Sequence, residues 1–315
     1  MKVGAVQADS GAGSTLGTLV PALEKAYPSL EVGPVDLRVL KEHDLVFVAV
    51  PSGASHSLVA ELHAAGVRVV DLGADFRLRD PSAYEKWYGF THSSPHLLAE
   101  AVYGLPELNR EAITGAQLIA APGCYVTAAC LGLAPLLKEG VVSPAGVIVD
   151  GLSGTSGAGK APTAELHHPL VNERVVPYGL LTHRHTPEME QVLGAEVLFT
   201  PHLVPMTRGI LATCYARVVG SAVPSSSGEV VDLLAEAYEG EPFVAVSRGT
   251  VSTADAYGSN VAHLTARYHA RTGHVIVLAA IDNLVKGGSG QAIQAANLAC
   301  GFEETAGLPQ AGLTP

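Results

Sequence analysis

The stretch Leu118-Ile119-Ala120-Ala121-Pro122-Gly123-Cys124-Tyr125-Val126-Thr127-Ala128 decides the fold. Four apolar residues read as a buried strand, Pro122-Gly123 ends it, and the apolar run from Cys124 onward has helical length. A strand that turns straight into a helix belongs to a parallel α/β sheet. The turn also sets a thiol at a helix N-terminus, where unpaired N–H groups and the helix dipole favour the thiolate. A fall in thiol pKa from ~8.5 to ~6.5 would raise the thiolate at pH 7 from about 3% to about 75%. Cys124 is thus the candidate nucleophile, whereas Cys130, Cys214 and Cys300 read as small buried hydrophobes.

Upstream, the same rhythm repeats. Lys2 to Val6, Leu45 to Val50 and Val67 to Leu72 read as short strands, and Ser55 to Ala65 carries Leu58, Val59 and Leu62 at helical spacing before Gly66, a C-terminal cap. A doubly wound parallel sheet is expected over residues 1 to 122. Downstream the style changes. Glu196 to Phe199, Ile210 to Val219, Val261 to Tyr268 and Val275 to Ile281 are partly alternating, and Arg271-Thr272-Gly273 looks like a hairpin turn, so antiparallel sheet is expected there. Ser221 to Gly228 reads as a loop feeding a helix from Glu229 to Tyr238, and Ser289 to Cys300 is again helical.

Composition narrows the function. The chain has 315 residues, 48% hydrophobic, with 30 acidic against 19 basic side chains and a net charge of −11, so two compact domains are expected. Nucleic acid or an anionic membrane would call for clustered Lys and Arg, so neither is expected as a partner, and an anionic ligand must meet a local basic pocket. The uncharged run from Leu118 to Leu137 is broken by Pro122, Gly123 and Pro135. As a helix its later part is roughly 21 Å, short of a ~30 Å hydrocarbon core, and it reads as a buried helix. Met1 to Val6 is a strand pattern rather than a signal peptide, and four cysteines without a C-x-x-C spacing predict free thiols in a cytoplasmic protein.

A thiol nucleophile needs an acid/base partner, and Thr182-His183-Arg184-His185-Thr186-Pro187-Glu188 supplies imidazoles. Thr186 as N-cap and Pro187 in the first turn would leave both histidines mobile in a loop before a helix. A metal pair lacks a third ligand at recognisable spacing, so no metal is expected. His167-His168-Pro169 reads as a solvated loop.

GCYVTA at 123 to 128, GTSGAGK at 154 to 160, HRHTPEMEQ at 183 to 191, PMTRGI at 205 to 210 and AIDNLVKG at 280 to 287 occur in order, and GADFRLRDP at 73 to 81 and YGLPELNR at 103 to 110 extend the set. Together they resemble the N-acetyl-gamma-glutamyl-phosphate reductase family, akin to the aspartate-semialdehyde and glyceraldehyde-phosphate dehydrogenases. The resemblance implies a Rossmann-type parallel-sheet domain, residues 1–123 together with 284–315, and an α+β catalytic and oligomerisation domain with a mixed or antiparallel sheet, residues 124–283. It implies a homo-oligomer, a dimer or tetramer. It implies that Cys124 attacks a small-molecule acyl phosphate, phosphate leaves, and NADPH reduces the thioester to an aldehyde, a step of arginine biosynthesis. By motif position His183 is the acid/base, with His185 as runner-up and otherwise a substrate contact. Arg77, Arg184 and Arg208 suit the substrate's carboxylate or phosphate, because a planar guanidinium meets both bidentately. Ser156 and Gly157 in the glycine-rich turn, Asn283, Ser52, Gly53, Gly11 and Gly13 are the cofactor residues so implied.

The sequence departs from the family at its start. Gln7-Ala8-Asp9-Ser10-Gly11-Ala12-Gly13-Ser14 replaces the family's glycine fingerprint, Pro21 interrupts the helix that should follow, and Pro51-Ser52-Gly53 stands for Pro-His-Gly. Val32 to Asp44 is also short for a second-strand region that reads the adenosine ribose. Two rival readings follow: a reductase of aminoadipyl or glutamyl phosphate linked to a carrier protein, and a Cys-His acyl transferase or hydrolase that has lost dinucleotide binding.

Overall fold

The structure, a computed structural model, describes residues 1 to 220 and 223 to 313, so the first two residues of the Ser221 to Gly228 loop lie outside it. The first half holds six strands: β1 (Val6–Gln7), β2 (Val32–Gly33), β3 (Leu45–Val48), β4 (Arg68–Asp71), β5 (Val102–Tyr103) and β6 (Leu118–Ala120). Every pairing among them is parallel. They form a β1-β2 ribbon and a four-stranded sheet in the order β3-β4-β6-β5. The expected strand over Lys2 to Val6 is reduced to Val6–Gln7, because β2 offers only two residues to pair with.

Helices α1 (Leu16–Leu19), α2 (Leu37–Leu40), α3 (Ser55–Ala64), α4 (Ser82–Tyr88) and α5 (Pro106–Ile113) lie between these strands. Thr15 caps α1 through its hydroxyl, but α1 is a single turn, ending before Pro21, which opens a 3-10 turn at Pro21–Leu23. A proline supplies no N–H to continue the helix above it. The crossover from β3 to β4 through α3 is of ordinary length and stops at Gly66, whose φ of 79° only glycine adopts easily.

The second half folds as a seven-stranded mixed sheet. Its strands are β7 (Val147–Gly154), β8 (Val176–Pro177), β9 (Val197–Val204), β10 (Ile210–Arg217), β11 (Val244–Val246), β12 (Ala262–His269) and β13 (His274–Ile281), in the order β11-β12-β13-β10-β7-β9-β8. β7 with β9 and β11 with β12 are parallel, and the other pairings are antiparallel. The β12–β13 hairpin turns at Gly273, φ 64°, as the sequence predicts. The sequence reading misses β7. Gly151 and Gly154 weaken its strand pattern, yet both are needed: a Cβ at Gly151 would lie 2.5 Å from Tyr125 Cε1, and one at Gly154 would lie 2.7 Å from the Arg208 backbone nitrogen.

Helix α6 (Cys124–Lys138) runs along the inner face of this sheet with Val126, Ala129, Cys130, Leu133 and Leu136 fully buried. α7 (His168–Val171), α8 (His185–Leu193), α9 (Ser227–Ala237) and α10 (Thr253–Ala256) follow, and Met189 of α8 and Leu234 of α9 join the same core. On the outer face Ile148 is 38% and Leu198 50% exposed, beside the polar Asp150, Thr200 and Thr213. The last helix, α11 (Gly290–Ala299), returns to the parallel sheet, setting Ala292, Ala295 and Ala296 against Val70 and Ile119. Among the described residues no helix is long and apolar enough to cross a membrane.

Candidate active site

Cys124 opens α6. Its N-cap, Gly123, has an extended backbone and no side chain to cap the helix, which leaves the N–H groups of the first turn open. The Gly123 N–H itself donates to Glu188 Oε1 at 2.8 Å, and the Tyr103 hydroxyl donates to the same oxygen at 2.6 Å. Arg77 Nη1 reaches Glu188 Oε2 at 3.4 Å, while its Nε donates to Ala121 O at 2.8 Å and its Nη2 to Leu72 O at 3.2 Å. Arg77 therefore ties the carboxyl ends of β4 and β6 to α8 through a buried carboxylate.

Helix α8 begins at His185 with Arg184 as N-cap, two residues earlier than the Thr186 cap expected from sequence. The reason is local: His183 Nδ1 accepts the His185 N–H at 3.1 Å, satisfying a donor at the helix start, and Pro187 still falls in the first turn. Neither histidine is mobile. The His183 ring is boxed edge-on by Tyr125 at 5.8 Å, Tyr178 at 5.5 Å and Phe199 at 5.1 Å, centroid to centroid. Tyr178 OH donates to Tyr125 OH at 3.2 Å, which in turn donates to His202 O at 3.1 Å, so the box is rigid. His185 lies closer to the cysteine turn: a Cβ on Gly123 would stand 2.3 Å from its Nε2. Its Nδ1 is buried without a hydrogen-bond partner among the described residues, so no protein group fixes its tautomer.

Burial sets the protonation states. It lowers His183 to about 4, with Arg184 adding to the effect, and it drives His185 well below the usual imidazole range, helped by His183, Arg77 and Arg184. Both rings are neutral at pH 7, and the burial that neutralises them also weakens them as bases. Burial also pushes the Cys124 thiol up to about 11, outweighing the Tyr125 N–H and the Arg77 guanidinium that favour the thiolate. The depressed thiol pKa expected at the helix start is corrected here. At about 11 the thiolate is roughly one part in ten thousand at pH 7, so the helix N-terminus cannot ionise the thiol alone and a neighbouring base must.

A cavity of about 990 Å³ opens over Cys124 and gathers His183, Arg184, His185, Arg77, Ser52, Ser156, Gly157 and Asn283 in its wall. Arg184 spans it, donating to Ser52 Oγ at 3.0 Å with its guanidinium 5.5 Å over the Tyr88 ring. Asn283 Oδ1 accepts the Gly209 N–H at 2.7 Å and its Nδ2 donates to Ser156 Oγ at 2.9 Å, pinning the glycine-rich turn. The glycine-lined wall comes very close: a Cβ at Gly287 would lie 2.9 Å from Cys124 Cβ. A flat ring fits against such a wall, so the nicotinamide end of a dinucleotide suits Ser156, Gly157 and Asn283.

Four sequence candidates lie outside this wall. Arg208 donates through Nη2 to Asp282 Oδ1 at 3.1 Å and covers the Tyr257 ring at 5.4 Å. Gly53 gives its N–H to Asp75 Oδ1 at 2.7 Å beneath Ser52. Gly11 and Gly13, both at φ 87°, sit in the loop between β1 and α1. Sequence reading passed over Glu188, Tyr103, Tyr178 and Gly287. Only Glu188 carried a signal, its place three residues after His185 putting both on one helix face.

The raised thiol predicts a reactivity profile. Alkylation of Cys124 by iodoacetamide, read against Cys124→Ser, should keep accelerating through pH 9. A plateau near pH 6.5 would restore the depressed thiol.

Two family matches divide the chain: the semialdehyde dehydrogenase NAD binding domain at residues 1–116 and the semialdehyde dehydrogenase dimerisation domain at residues 124–283. Curated relatives include the N-acetyl-gamma-glutamyl-phosphate reductase of Desulforudis audaxviator, 47% identical over 92% of this chain and 86% of that one. Those of Geobacter sulfurreducens, at 44% over 98% and 91%, and Thermus thermophilus, at 48% over 93% and 89%, are similar. Among solved structures, aspartate semialdehyde dehydrogenase II of Vibrio cholerae matches with a TM-score of 0.65 at 18% identity over 93% of this chain and 97% of that one. The Candida albicans aspartate semialdehyde dehydrogenase, solved with NADP, matches with 0.67 at 16% over 94% and 90%, which speaks to the fold. The two-domain architecture, the cysteine turn and the sequence relatives agree: the chain belongs to the semialdehyde dehydrogenase family, among the N-acetyl-gamma-glutamyl-phosphate reductases.

Proposed function

We propose that the chain reduces N-acetyl-gamma-glutamyl phosphate to N-acetylglutamate semialdehyde and phosphate through a thioester on Cys124. The observation that carries this reading is Cys124 at the open start of α6, with the neutral His185 ring against Gly123, in a cavity walled by glycine-rich turns. His185 Nε2 accepts the thiol proton, the sulfur attacks the acyl carbon, and the acyl–phosphate bond breaks with phosphate leaving. Ser156, Gly157 and Asn283 would hold the nicotinamide end of NADPH, which would supply the hydride that reduces the thioester. The imidazolium returns its proton to the thiohemiacetal oxygen, and collapse of that adduct releases the aldehyde and regenerates the cysteine. This order of roles puts His185 at the chemistry and His183 behind it, the reverse of the order motif position suggests. Arg184 faces the substrate's charged groups, and Arg77 lines the cavity behind it with most of its donors committed to Glu188, Ala121 and Leu72. The curated relatives carry the acetylglutamyl name, which favours that substrate over a carrier-linked one. Four free cysteines suit a reducing compartment, so the reading places the chain in the cytoplasm.

The outer face of the mixed sheet supports a homo-oligomer. Ile148 and Leu198 are exposed there, with half-buried Leu152, Leu211, Ile276 and Leu278 around the polar Asp150, Thr200 and Thr213, a mixed surface that a second copy would cover. Ile148→Glu/Leu198→Glu should convert an assembled species to a lower-mass one by light scattering; an unchanged mass rejects this face.

Cys124→Ser should abolish phosphate-dependent, aldehyde-driven NADP reduction with the fold intact, because a hydroxyl is a far weaker nucleophile at neutral pH. His185→Asn should slow turnover about a hundredfold or more. His183→Asn should cost less and act through placement of His185. If the two effects are reversed, His183 is the base.

Cofactor discrimination should be weak. The adenosine end lacks the glycine fingerprint, α1 is one turn, and Arg38 is 90% exposed and paired with Asp36. Fewer contacts then separate a 2′-phosphate from a hydroxyl, and calorimetry should find NADPH preferred over NADH by about tenfold, ~1.4 kcal/mol. A hundredfold preference would show that Arg38 or Lys41 has rebuilt a phosphate site.

A further inference from the structure

Between Asn283 and α11 the chain makes one π-turn, Val285–Ser289, with the Gly287 N–H bonded to Asp282 O at 2.9 Å and the Ser289 N–H to Leu284 O at 3.0 Å. Such turns are rare and recur at functional sites. This one presses the Gly287 backbone onto the nucleophile, where a Cβ would lie 2.9 Å from Cys124 Cβ and 3.1 Å from Ile281 Cδ1.

The side chain just before Gly287 goes elsewhere. Lys286 is fully buried, its Nζ donating to Glu107 Oε1 at 2.5 Å and Gln294 Oε1 at 2.7 Å, 5.6 Å from the centre of the Phe243 ring. Glu107 lies in the first turn of α5, Gln294 on α11, and Phe243 just before β11. One ammonium thus joins the parallel-sheet domain, the C-terminal helix and the mixed-sheet domain. The contacts are reinforced: Gln294 Nε2 donates to Glu107 Oε1 at 2.9 Å and to Glu304 Oε1 at 2.7 Å, and Arg110 pairs with both Glu304 and Glu241. Burial alone would raise the Glu107 carboxyl, but the Lys286 ammonium overrides it and holds the group below its usual range.

A buried ion pair adds little net stability, since desolvation of two charges offsets their attraction, but it is directional. A methionine at 286 would fill the space with the π-turn at more than one rotation, whereas an ammonium must meet both Glu107 and Gln294. We propose that Lys286, held by Glu107, is a positioning residue for Cys124. It sets the rotation of the π-turn, and with it the approach of the Gly287 backbone to the thiol and the placement of the Asn283 amide. The inference rests on the reading of Cys124 as the nucleophile.

The test uses the full chain with Lys286→Met and with Lys286→Met/Glu107→Met, which removes both charges together. Three quantities are read: kcat, KM, and the pH dependence of Cys124 alkylation by iodoacetamide, which needs no turnover. The expected result is a folded double variant, by circular dichroism and urea midpoint, with kcat down about tenfold or more, KM within about twofold, and a displaced alkylation profile. Glu107→Asp keeps a negative partner for the buried ammonium and should keep most of the wild-type profile. Where Lys286→Met alone fails to fold, the neutral double variant decides. A folded double variant with wild-type kcat and an unmoved profile overturns the proposal. Retained turnover in Cys124→Ser would instead overturn the nucleophile reading, and the alkylation profile keeps the two failures apart.

Discussion

The Glu188 carboxylate is the constraint on which the active site depends. It is fully buried, and its two oxygens take up the Gly123 N–H, the Tyr103 hydroxyl and the Arg77 guanidinium. Those donors come from the start of α6, from β5 and from the loop after β4, while the acceptor sits on α8. A carboxyl group taken out of water needs such partners on both oxygens, so this one side chain ties the four segments together. Holding the Gly123 N–H in turn fixes where α6 begins, and hence where the sulfur stands relative to the two histidines. Arg77, which by its chemistry suits an anionic substrate, has most of its donors committed to this structural task.

Much of this was legible in one dimension. The strand-to-helix turn at 118–128 could be read because Pro122-Gly123 breaks an apolar run at one point, and α3, β10, β12 and β13 follow from local spacing. Where sequence reading fell short, the deciding contact was distant. β7 was hidden by Gly151, whose missing side chain makes room for Tyr125, twenty-six residues earlier in the chain. The start of α8 was displaced by the His183 ring acting as a helix cap, a role outside the usual preference for Ser, Thr, Asp or Asn. Lys286 sits in a motif that shows its order but nothing of its burial, because its partners are 179 residues away on α5 and 8 residues away on α11.

The site balances two opposed effects of one environment. Burial strengthens each hydrogen bond around Glu188 and keeps both imidazoles neutral, while making them weaker bases than free imidazole. The same burial penalises the thiolate more than a helix N-terminus can compensate. A helix N-terminus is therefore not sufficient by itself to ionise the cysteine that opens it. Under the proposed function the thiol proton passes to the neighbouring His185 ring, and the aromatic box around His183 seats that ring 4.8 Å from His185, centroid to centroid.

The raised thiol of Cys124 also bears on how the resting protein ages. Peroxide and stray electrophiles attack the anion of a cysteine, and their rates scale with its population. A sulfur that is almost entirely protonated between catalytic cycles offers them little, so overoxidation to sulfinic or sulfonic acid is slowed without any dedicated shield or resolving thiol.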